Sequence, residues 1–153
     1  MSLKKKRLLA LIFLIFFHST NAFAGMNVKR IIWIESKNRA KAHNTSEDAR
    51  GLMQIRNIVL QEWNNYNPQE IYTPKDLFTP QINIKIGTWY LEKRCPQMLK
   101  YYKIYPSVKD VDLYNIACYN WGIGNVIKWH KRGGKYYELP KITRRYYESY
   151  VRP

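Results

Sequence analysis

The chain has 153 residues, a formal net charge of +15, and a composition that is 46% hydrophobic and 15% aromatic. This length favours one domain, and the high aromatic content argues against a disordered basic tail, which lacks the residues to build a core. Strong positive charge favours an anionic partner, such as nucleic acid, anionic lipid or a cell-wall polymer.

The first 24 residues are predicted to be an export signal. Basic residues occupy positions 4–7, an apolar run of ten residues covers 8–17, and Ala-Phe-Ala at 22–24 supplies the small residues of a cleavage site. This order is typical of a secretory signal peptide. The alternative is an uncleaved membrane anchor, but a spanning helix needs about 20 apolar residues. We therefore expect cleavage after Ala24 and no stable membrane insertion of the mature chain, residues 25–153.

Export places the mature domain in the periplasm or cell envelope. That location argues against nucleic acid as the partner, and the sequence contains no recognisable nucleic-acid-binding motif. An exported basic domain is instead expected to meet wall polymers or anionic lipid.

Helical spacing dominates residues 25–153, and the β-branched, alternating runs typical of strands are missing. The sequence therefore predicts an all-α domain. Residues 38–50 are predicted to form a polar loop, and residues 64–79 an irregular connection with two prolines. The predicted helices cover about 27–37, 51–63, a segment that begins at 80, about 108–121, 126–131 and 143–151.

The helix at residue 80 has the clearest sequence signals. Thr79 is placed as its N-cap and Pro80 in its first turn, where a missing amide hydrogen costs nothing. Pro96 is predicted to end it. The apolar face of this helix consists of Ile82, Ile86, Trp89 and Tyr90.

Cysteine and histidine give no sign of a metal site. Cys95 and Cys118 could form a disulfide or remain two separate buried thiols, and the second alternative is favoured because sequence does not show proximity. His43 and His130 have no Cys or His at ligand spacing and are interpreted as solvated polar residues. We therefore expect no metal and no cofactor.

Glu35 is the candidate acid. It follows the apolar run Ile-Ile-Trp-Ile at 31–34, and desolvation by such neighbours raises the pKa of a carboxyl. A raised pKa suits a general acid that works near neutral pH. The alternative for Glu35 alone is a surface glutamate at a helix end.

Motifs after Glu35 favour the catalytic alternative. Glu35-Ser36 is followed by Gly-Leu-Met-Gln at 51–54, Asn-Ile-Lys-Ile-Gly-Thr-Trp-Tyr-Leu at 83–91, Ala-Cys-Tyr-Asn-Trp-Gly-Ile-Gly-Asn-Val at 117–126 and Pro-Lys-Ile-Thr-Arg-Arg-Tyr at 140–146. This series resembles the soluble lytic transglycosylase (SLT) catalytic domain of the lysozyme-like superfamily, over about residues 31–151. The resemblance implies a lysozyme-like helical domain with a substrate cleft.

The resemblance also implies site residues. Glu35 matches the catalytic glutamate, Ser36 a serine that positions the sugar or the carboxyl, and Tyr146 a tyrosine whose hydroxyl approaches that carboxyl. Glycines 51, 87 and 122 match positions with a structural role. The implied substrate-binding residues are Ser36, Met53, Gln54, Tyr119, Asn120 and Tyr146.

The implied reaction is cleavage of the β-1,4 bond between N-acetylmuramic acid and N-acetylglucosamine in peptidoglycan, with 1,6-anhydromuramic acid ends. One glutamate would act as acid and then as base, without a second carboxylate; hydrolytic glycosidases usually need two. Glu47 and Asp48 are interpreted as solvated loop residues.

Three alternatives remain open. They are a lysozyme-like hydrolase on the same fold, a non-catalytic peptidoglycan-binding or assembly protein, and a basic protein that binds membranes or nucleic acid. By analogy alone, an envelope-spanning secretion or conjugation machine is a candidate partner beside the glycan strands.

The chain departs from the family pattern at several positions. Cys118 and the large Trp121 flank Tyr119 and Asn120 where small residues are usual, and Asp48 replaces a glycine. Asp tolerates left-handed backbone better than most residues, and Trp121 is expected either to narrow the cleft or to alter which muropeptide fits. Only a short segment separates Glu35 from the predicted cleavage site, so a partner that completes the first helix is one alternative.

Overall fold

The computed structural model describes residues 25–152, so the predicted signal peptide at 1–24 lies outside the described residues. The described chain is mostly helical, as predicted from sequence. Its helices are α1 Val28–Ser36, α2 Asn57–Tyr66, α3 Pro80–Trp89, α4 Cys95–Tyr101, α5 Val111–Trp121, α6 Ile123–Lys131 and α7 Lys141–Val151, with short 3-10 turns at Asp76–Phe78, Val108–Asp110 and Tyr136–Glu138.

Helix α5 lies at the centre of the core. Every residue from 113 to 119 is buried, and the helix packs against α4, α6 and α7. A helix that is apolar on all sides is stable only when other elements surround it. Helix α1 packs against α7, so the first and last helices of the described chain are neighbours.

Three short strands correct the sequence prediction for residues 38–56. Strands β1 His43–Asn44, β2 Ala49–Arg50 and β3 Ile55–Arg56 form an antiparallel sheet in that order. The predicted helix from residue 51 therefore begins six residues later, at Asn57. Strands of two residues are too short to show the alternation that identifies a strand in sequence.

Asn83 joins this sheet to α3. Its side chain is fully buried, its Oδ1 accepts the Met53 amide hydrogen at 2.7 Å, and its Nδ2 donates to the Arg50 and Leu77 carbonyl oxygens, both at 2.8 Å. Three bonds satisfy most of the hydrogen-bonding capacity of a buried amide, which is costly to leave unpaired. The turn before β3 is thereby fixed in place.

Gly51 allows this close approach. It has a φ of 77°, and a Cβ at that position would lie 2.2 Å from both the Leu77 carbonyl oxygen and the Asn83 Nδ2. Only glycine fits there without moving the backbone. The structural role expected for Gly51 follows directly from this contact.

The prediction that Pro96 ends the helix is wrong. One widened π-helical turn, Tyr90–Arg94, follows α3 and leads directly into α4, where Pro96 occupies the first turn. The first turn of a helix tolerates proline because its amide hydrogens have no intrahelical acceptor. The predicted start is confirmed, since α3 begins at Pro80 with Thr79 at the N-cap position.

The predicted apolar face of α3 is also confirmed. Ile86 and Tyr90 are buried, and Ile82 and Trp89 pack against the core. Within the described part of the chain, no helix combines the length and the hydropathy needed to cross a membrane.

Both thiols lie in the core. Cys95 in α4 and Cys118 in α5 are fully buried and unbridged, as favoured from sequence, but they are not separate, because the two thiols are hydrogen-bonded neighbours.

Candidate functional site

A cavity of about 140 Å³ opens between the end of α1, the sheet, the first turn of α2 and α5. It brings together side chains from residues 35–59 with others from positions 90, 119 and 120. The residues that line it are Glu35, Asn44, Glu47, Ala49, Gln54, Ile55, Arg56, Val59, Tyr90, Tyr119 and Asn120.

Glu35 lies in the last turn of α1, just before the helix ends at Ser36. The chain turns away from the helix at Lys37, whose φ of 54° lies in the left-handed region, and its amide hydrogen bonds the Trp33 carbonyl. Tyr146 of α7 donates its hydroxyl hydrogen to Glu35 Oε1 at 2.8 Å. The packing of α1 against α7 therefore sets the orientation of the carboxyl.

The surroundings of Glu35 favour its protonated form. Burial raises the pKa of Glu35 to about 7, against the combined opposition of the Tyr146 hydrogen bond and the positive charge of Arg56. The negative charge of Glu47 raises the pKa further. A carboxyl with a pKa near 7 holds a proton in a large fraction of molecules at neutral pH and can also release it, as an acid/base catalyst must.

Two buried tyrosines stand beside this carboxyl. Tyr119 donates its hydroxyl hydrogen to the Met53 carbonyl oxygen at 2.7 Å, and its ring lies 5.9 Å from the Tyr90 ring, centroid to centroid. Burial raises the pKa of Tyr119 and of Tyr146 well above the usual range. Both hydroxyls therefore remain protonated donors at neutral pH.

Gln54 and Asn120 present amide groups to the cavity, and the protein fixes the orientation of each. Gln54, with a φ of 47°, donates its Nε2 hydrogens to the Gly51 carbonyl at 2.9 Å and the Ala42 carbonyl at 3.3 Å. The Thr143 hydroxyl donates to Asn120 Oδ1 at 2.9 Å. These bonds leave Gln54 Oε1 as an acceptor and Asn120 Nδ2 as a donor toward the cavity.

Two residues expected to bind substrate point elsewhere. The Ser36 side chain is buried, and its hydroxyl donates to the Ile32 carbonyl of its own helix at 3.1 Å. Met53 is fully buried and packs against Gly87, where a Cβ would meet its sulfur at 2.4 Å. Ser36 therefore supports α1, and Met53 contributes its backbone carbonyl to Tyr119 and its side chain to the core.

Seven of the eleven cavity residues were not singled out as site residues from the sequence, and three of these seven, Glu47, Arg56 and Tyr90, carry ionisable side chains. Arg56 ends β3, two residues after Gln54, and its side chain lines the same cavity. Glu47 was interpreted as a solvated loop residue; its side chain is exposed, but the turn between β1 and β2 carries it to the cavity. Tyr90 was assigned to the core face of α3, and its ring reaches the cavity wall as well.

The neighbours of Tyr119 and Asn120 do not narrow the cavity. Cys118 is fully buried in the core, and Trp121 packs against the core without lining the cavity. Asp48 has a φ of 51°, so it occupies the left-handed conformation expected where the family has glycine. It also pairs with Arg50, within the sheet.

A model of the family described as the Transglycosylase SLT domain matches residues 18–139, well over half of the chain. Comparisons with curated proteins and with solved structures find no match. The match includes Glu35 and the other residues that line the cavity, while Tyr146 lies beyond it. The mostly helical architecture agrees with the lysozyme-like fold of this family, which implies a lytic-transglycosylase-like enzyme with peptidoglycan as its substrate. The chain therefore belongs to the transglycosylase SLT domain family.

Proposed function

We propose that the protein is an exported lytic transglycosylase that cleaves the β-1,4 bond between N-acetylmuramic acid and N-acetylglucosamine, with Glu35 as its acid/base catalyst. The observation that carries the proposal is the Glu35 carboxyl in the cavity, with a pKa raised to about 7 and a hydrogen bond from Tyr146. A carboxyl near its pKa at neutral pH serves both halves of this reaction.

In the first half, protonated Glu35 donates its proton to the glycosidic oxygen as the bond from that oxygen to C1 of the muramic acid breaks. The N-acetyl carbonyl of the same sugar stabilises the positive charge that develops at C1. The Glu35 carboxylate that forms is stabilised by the Tyr146 hydroxyl and by the charge of Arg56.

In the second half, the Glu35 carboxylate takes the proton of the 6-hydroxyl of the muramic acid. The oxygen attacks C1 and closes the 1,6-anhydro ring, which returns Glu35 to its protonated state. No water is consumed, so one carboxyl completes the cycle.

The oriented amides are proposed to hold the sugar. The Asn120 Nδ2 donates to a sugar or acetamido oxygen, and the Gln54 Oε1 accepts from a sugar hydroxyl or amide hydrogen. Both contacts depend on bonds that fix the amide in advance, so little ordering is needed when substrate binds. The Tyr90 and Tyr119 rings form an aromatic wall beside them.

The first experiment is mass spectrometry of the soluble products released from purified sacculi. The enzyme is exported from its own full-length precursor, and the matched pair of variants is Glu35→Gln and Glu70→Gln. Glu70 is a partly exposed acid that pairs with Lys85 away from the cavity. We expect anhydro-ended products from the wild type and from Glu70→Gln, and a loss of at least about 100-fold in Glu35→Gln. Full activity of Glu35→Gln would overturn the assignment.

A hydrolase is the second candidate, because Glu47 lines the same cavity as Glu35. In that reaction Glu47 would activate water, and the products would have reducing ends. The Glu47→Gln variant separates the two candidates. The transglycosylase keeps making anhydro products without Glu47, whereas a hydrolase loses most of its activity.

The location follows from the sequence prediction of a signal peptide at 1–24, and we propose the periplasm or cell envelope. Fractionation of cells that express the full-length chain tests this, with the mature mass expected to begin at Gly25. An envelope-spanning secretion or conjugation machine remains a candidate partner, testable by cross-linking in intact cells.

A further inference from the structure

The first described residue lies directly against an acidic side chain. A Cβ placed on Gly25 would be 3.1 Å from Oε1 of Glu92, which belongs to the π-helical turn. Gly25 and Glu92 both line a cavity of about 400 Å³ on the outside of that turn. A side chain larger than hydrogen at position 25 would displace the carboxyl.

The segment that carries Gly25 is held in place by the last helix. The Tyr150 hydroxyl accepts the Asn27 amide hydrogen at 3.0 Å and lies 3.8 Å from the Met26 sulfur. The Val28 amide hydrogen also bonds the Met26 carbonyl at 2.8 Å. The backbone at Gly25 is therefore directed at this cavity by fixed contacts on its C-terminal side.

Two further acceptors from α5 line the same cavity. Asp112 is a partly buried carboxylate whose pKa is raised by desolvation. Asn115 is 5% exposed, and its buried Oδ1 has no hydrogen-bond partner among residues 25–152. A buried carbonyl oxygen without a donor is costly, and Asn115 belongs to the cavity wall, so a donor that enters the cavity beside Asn115 would relieve this cost.

We infer that this cavity is a binding site for a primary ammonium, and that its ligand is the α-ammonium of Gly25, created by cleavage after Ala24. The ammonium has three donors and one positive charge. The acceptors around it are the Glu92 and Asp112 carboxylates and the Asn115 Oδ1. The inference rests on the proposed cleavage site and is independent of the proposed chemistry at Glu35.

Cleavage thereby changes the interaction at Gly25. In the uncleaved chain the Gly25 nitrogen is a neutral amide with one hydrogen, which cannot satisfy two carboxylates and a carbonyl. In the cleaved chain it is a cation beside two anions. Removal of the leader therefore stabilises the docking of the first segment against α5 and α7.

The pH dependence has a definite sign. Ionisable side chains from three elements lie around the ammonium: Glu92 of the π-helical turn, Asp112 of α5 and Tyr150 of α7. The guanidinium of Arg30, on α1, is held beside α7 by its bond to the Ser149 carbonyl at 2.7 Å. Two carboxylates outweigh one guanidinium, so we expect the pKa of the α-ammonium to exceed its ordinary value of about 7.7–8.0. Because that folded-state pKa is raised, the added stability is complete below the ordinary value and is lost as pH rises through the raised one.

The test compares the exported chain, which begins at Gly25, with the same chain acetylated at its α-amine in denaturant and refolded. Near pH 6.5 the α-amine reacts before lysine, whose pKa is about 10.4. We expect acetylation to lower Tm at pH 7 by roughly 3 °C and to have little effect near pH 10. In Glu92→Gln the effect of acetylation should shrink, while in the control Glu70→Gln it should stay complete.

A second measurement needs neither acetylation nor a variant. An NMR titration of the Gly25 α-protons in the unmodified exported protein is expected to give an α-ammonium pKa above 8.0. A pKa at or below the ordinary value would overturn the inference. An unchanged Tm after acetylation would also overturn it, as would an equal decrease in Tm when Glu92→Gln is acetylated. A mature chain that begins at another residue would overturn it as well.

Discussion

Glu35 is subject to opposing influences, and their balance sets its chemistry. Burial and the charge of Glu47 favour the protonated acid, while the Tyr146 hydroxyl and the charge of Arg56 favour the carboxylate. Because burial is the largest of these effects, the pKa settles near 7. A glutamate that lacked Tyr146 would be a weaker acid, and one that lacked burial would be an anion throughout the neutral range.

Activity should therefore fall as pH rises through about 7, where the fraction of protonated Glu35 declines. The Tyr146→Phe variant removes a bond that lowers the pKa of Glu35, so this decline should move to higher pH by about one unit. The measurement is the initial rate of sacculus clearing against pH. Tyr136→Phe is the control, because Tyr136 bonds Glu148 away from Glu35. An unchanged profile in Tyr146→Phe would contradict the proposed effect.

The raised pKa of Glu35 also predicts how the stability of the fold depends on pH. The pKa of Glu35 is raised from 4.5 to about 7 on folding, so the folded state loses stability as pH rises from 4.5 to 7 and the loss is then constant. Glu35→Gln removes this loss. The stability of the variant relative to wild type should increase between pH 4 and pH 8 by about 3 kcal/mol, the free energy that corresponds to a pKa shift from 4.5 to about 7. Urea unfolding at both pH values measures it, and a pH-independent difference would refute it.

Among the secondary-structure elements, the short sheet has the largest effect on the site. It carries Gln54, Arg56 and the turn with Glu47 to the cavity, and its position depends on Gly51 and Asn83. The sheet has too few residues to be stable alone. Its attachment to α3 is what holds one wall of the cavity.

Gly51→Ala should therefore destabilise the protein by about 3 kcal/mol, because the new methyl group would overlap the Leu77 carbonyl at a positive φ. Gly124→Ala is the matched control. Nothing lies within 4 Å of a Cβ there, and the position is in helix α6, where alanine stabilises by about 0.5–1 kcal/mol. Denaturant unfolding of both variants is the measurement. Similar stabilities would show that the contact at Gly51 relaxes without cost.

Elements with strong local signals were predictable from sequence, and those set by tertiary contacts were not. Thr79 and Pro80 determine the start of α3 through backbone chemistry that is visible in the sequence. Pro96 also gives a strong signal, but the widened turn before it lets the chain continue as α4. Strands β1 to β3 have two residues each, too few to show alternation in the sequence, and they are defined by their pairing with one another and by their contact with α3.

The site residues also fall into two groups, those whose positions were predictable from sequence and those whose positions depend on tertiary contacts. The proximity of Tyr146 to Glu35 was expected from the family resemblance, and the structure places the two in contact. Ser36 was expected in the cleft, yet its hydroxyl bonds its own helix backbone, an alternative open to any serine in a helix. Glu47 lines the cavity because it lies in the turn between β1 and β2, and no pattern in the sequence predicts this hairpin.

On the scale of the whole molecule, positive charge is the dominant property. Four of the 26 basic residues and none of the 11 acidic residues precede position 25, so residues 25–153 keep a net charge of +11. The surface of peptidoglycan carries carboxylates on its peptides. Long-range attraction should concentrate the protein on that surface before the cavity engages a glycan strand.

This attraction predicts a salt effect on association that leaves the chemistry intact. Binding of Glu35→Gln to sacculi should weaken by at least about tenfold between 50 and 500 mM NaCl, because the Debye length falls below about 5 Å. The pH at which the wild-type rate declines should barely change, since the Glu35 carboxyl is largely buried. Sedimentation with sacculi measures the first quantity and product release the second. Binding to sacculi that is unchanged by salt would contradict the proposed role of positive charge in association.

Glu35 and its hydrogen-bond partner Tyr146 are separated by 111 positions in the chain. A ribosome or an export channel delivers residues in order, so Glu35 emerges long before α7 exists. Until that helix docks, Glu35 lacks the Tyr146 hydroxyl and part of its cover, and an uncovered glutamate is an anion that has no proton to give. On the proposed mechanism, the molecule therefore has no acid with which to cleave a glycan during its own synthesis, and it gains one only when its last helix docks.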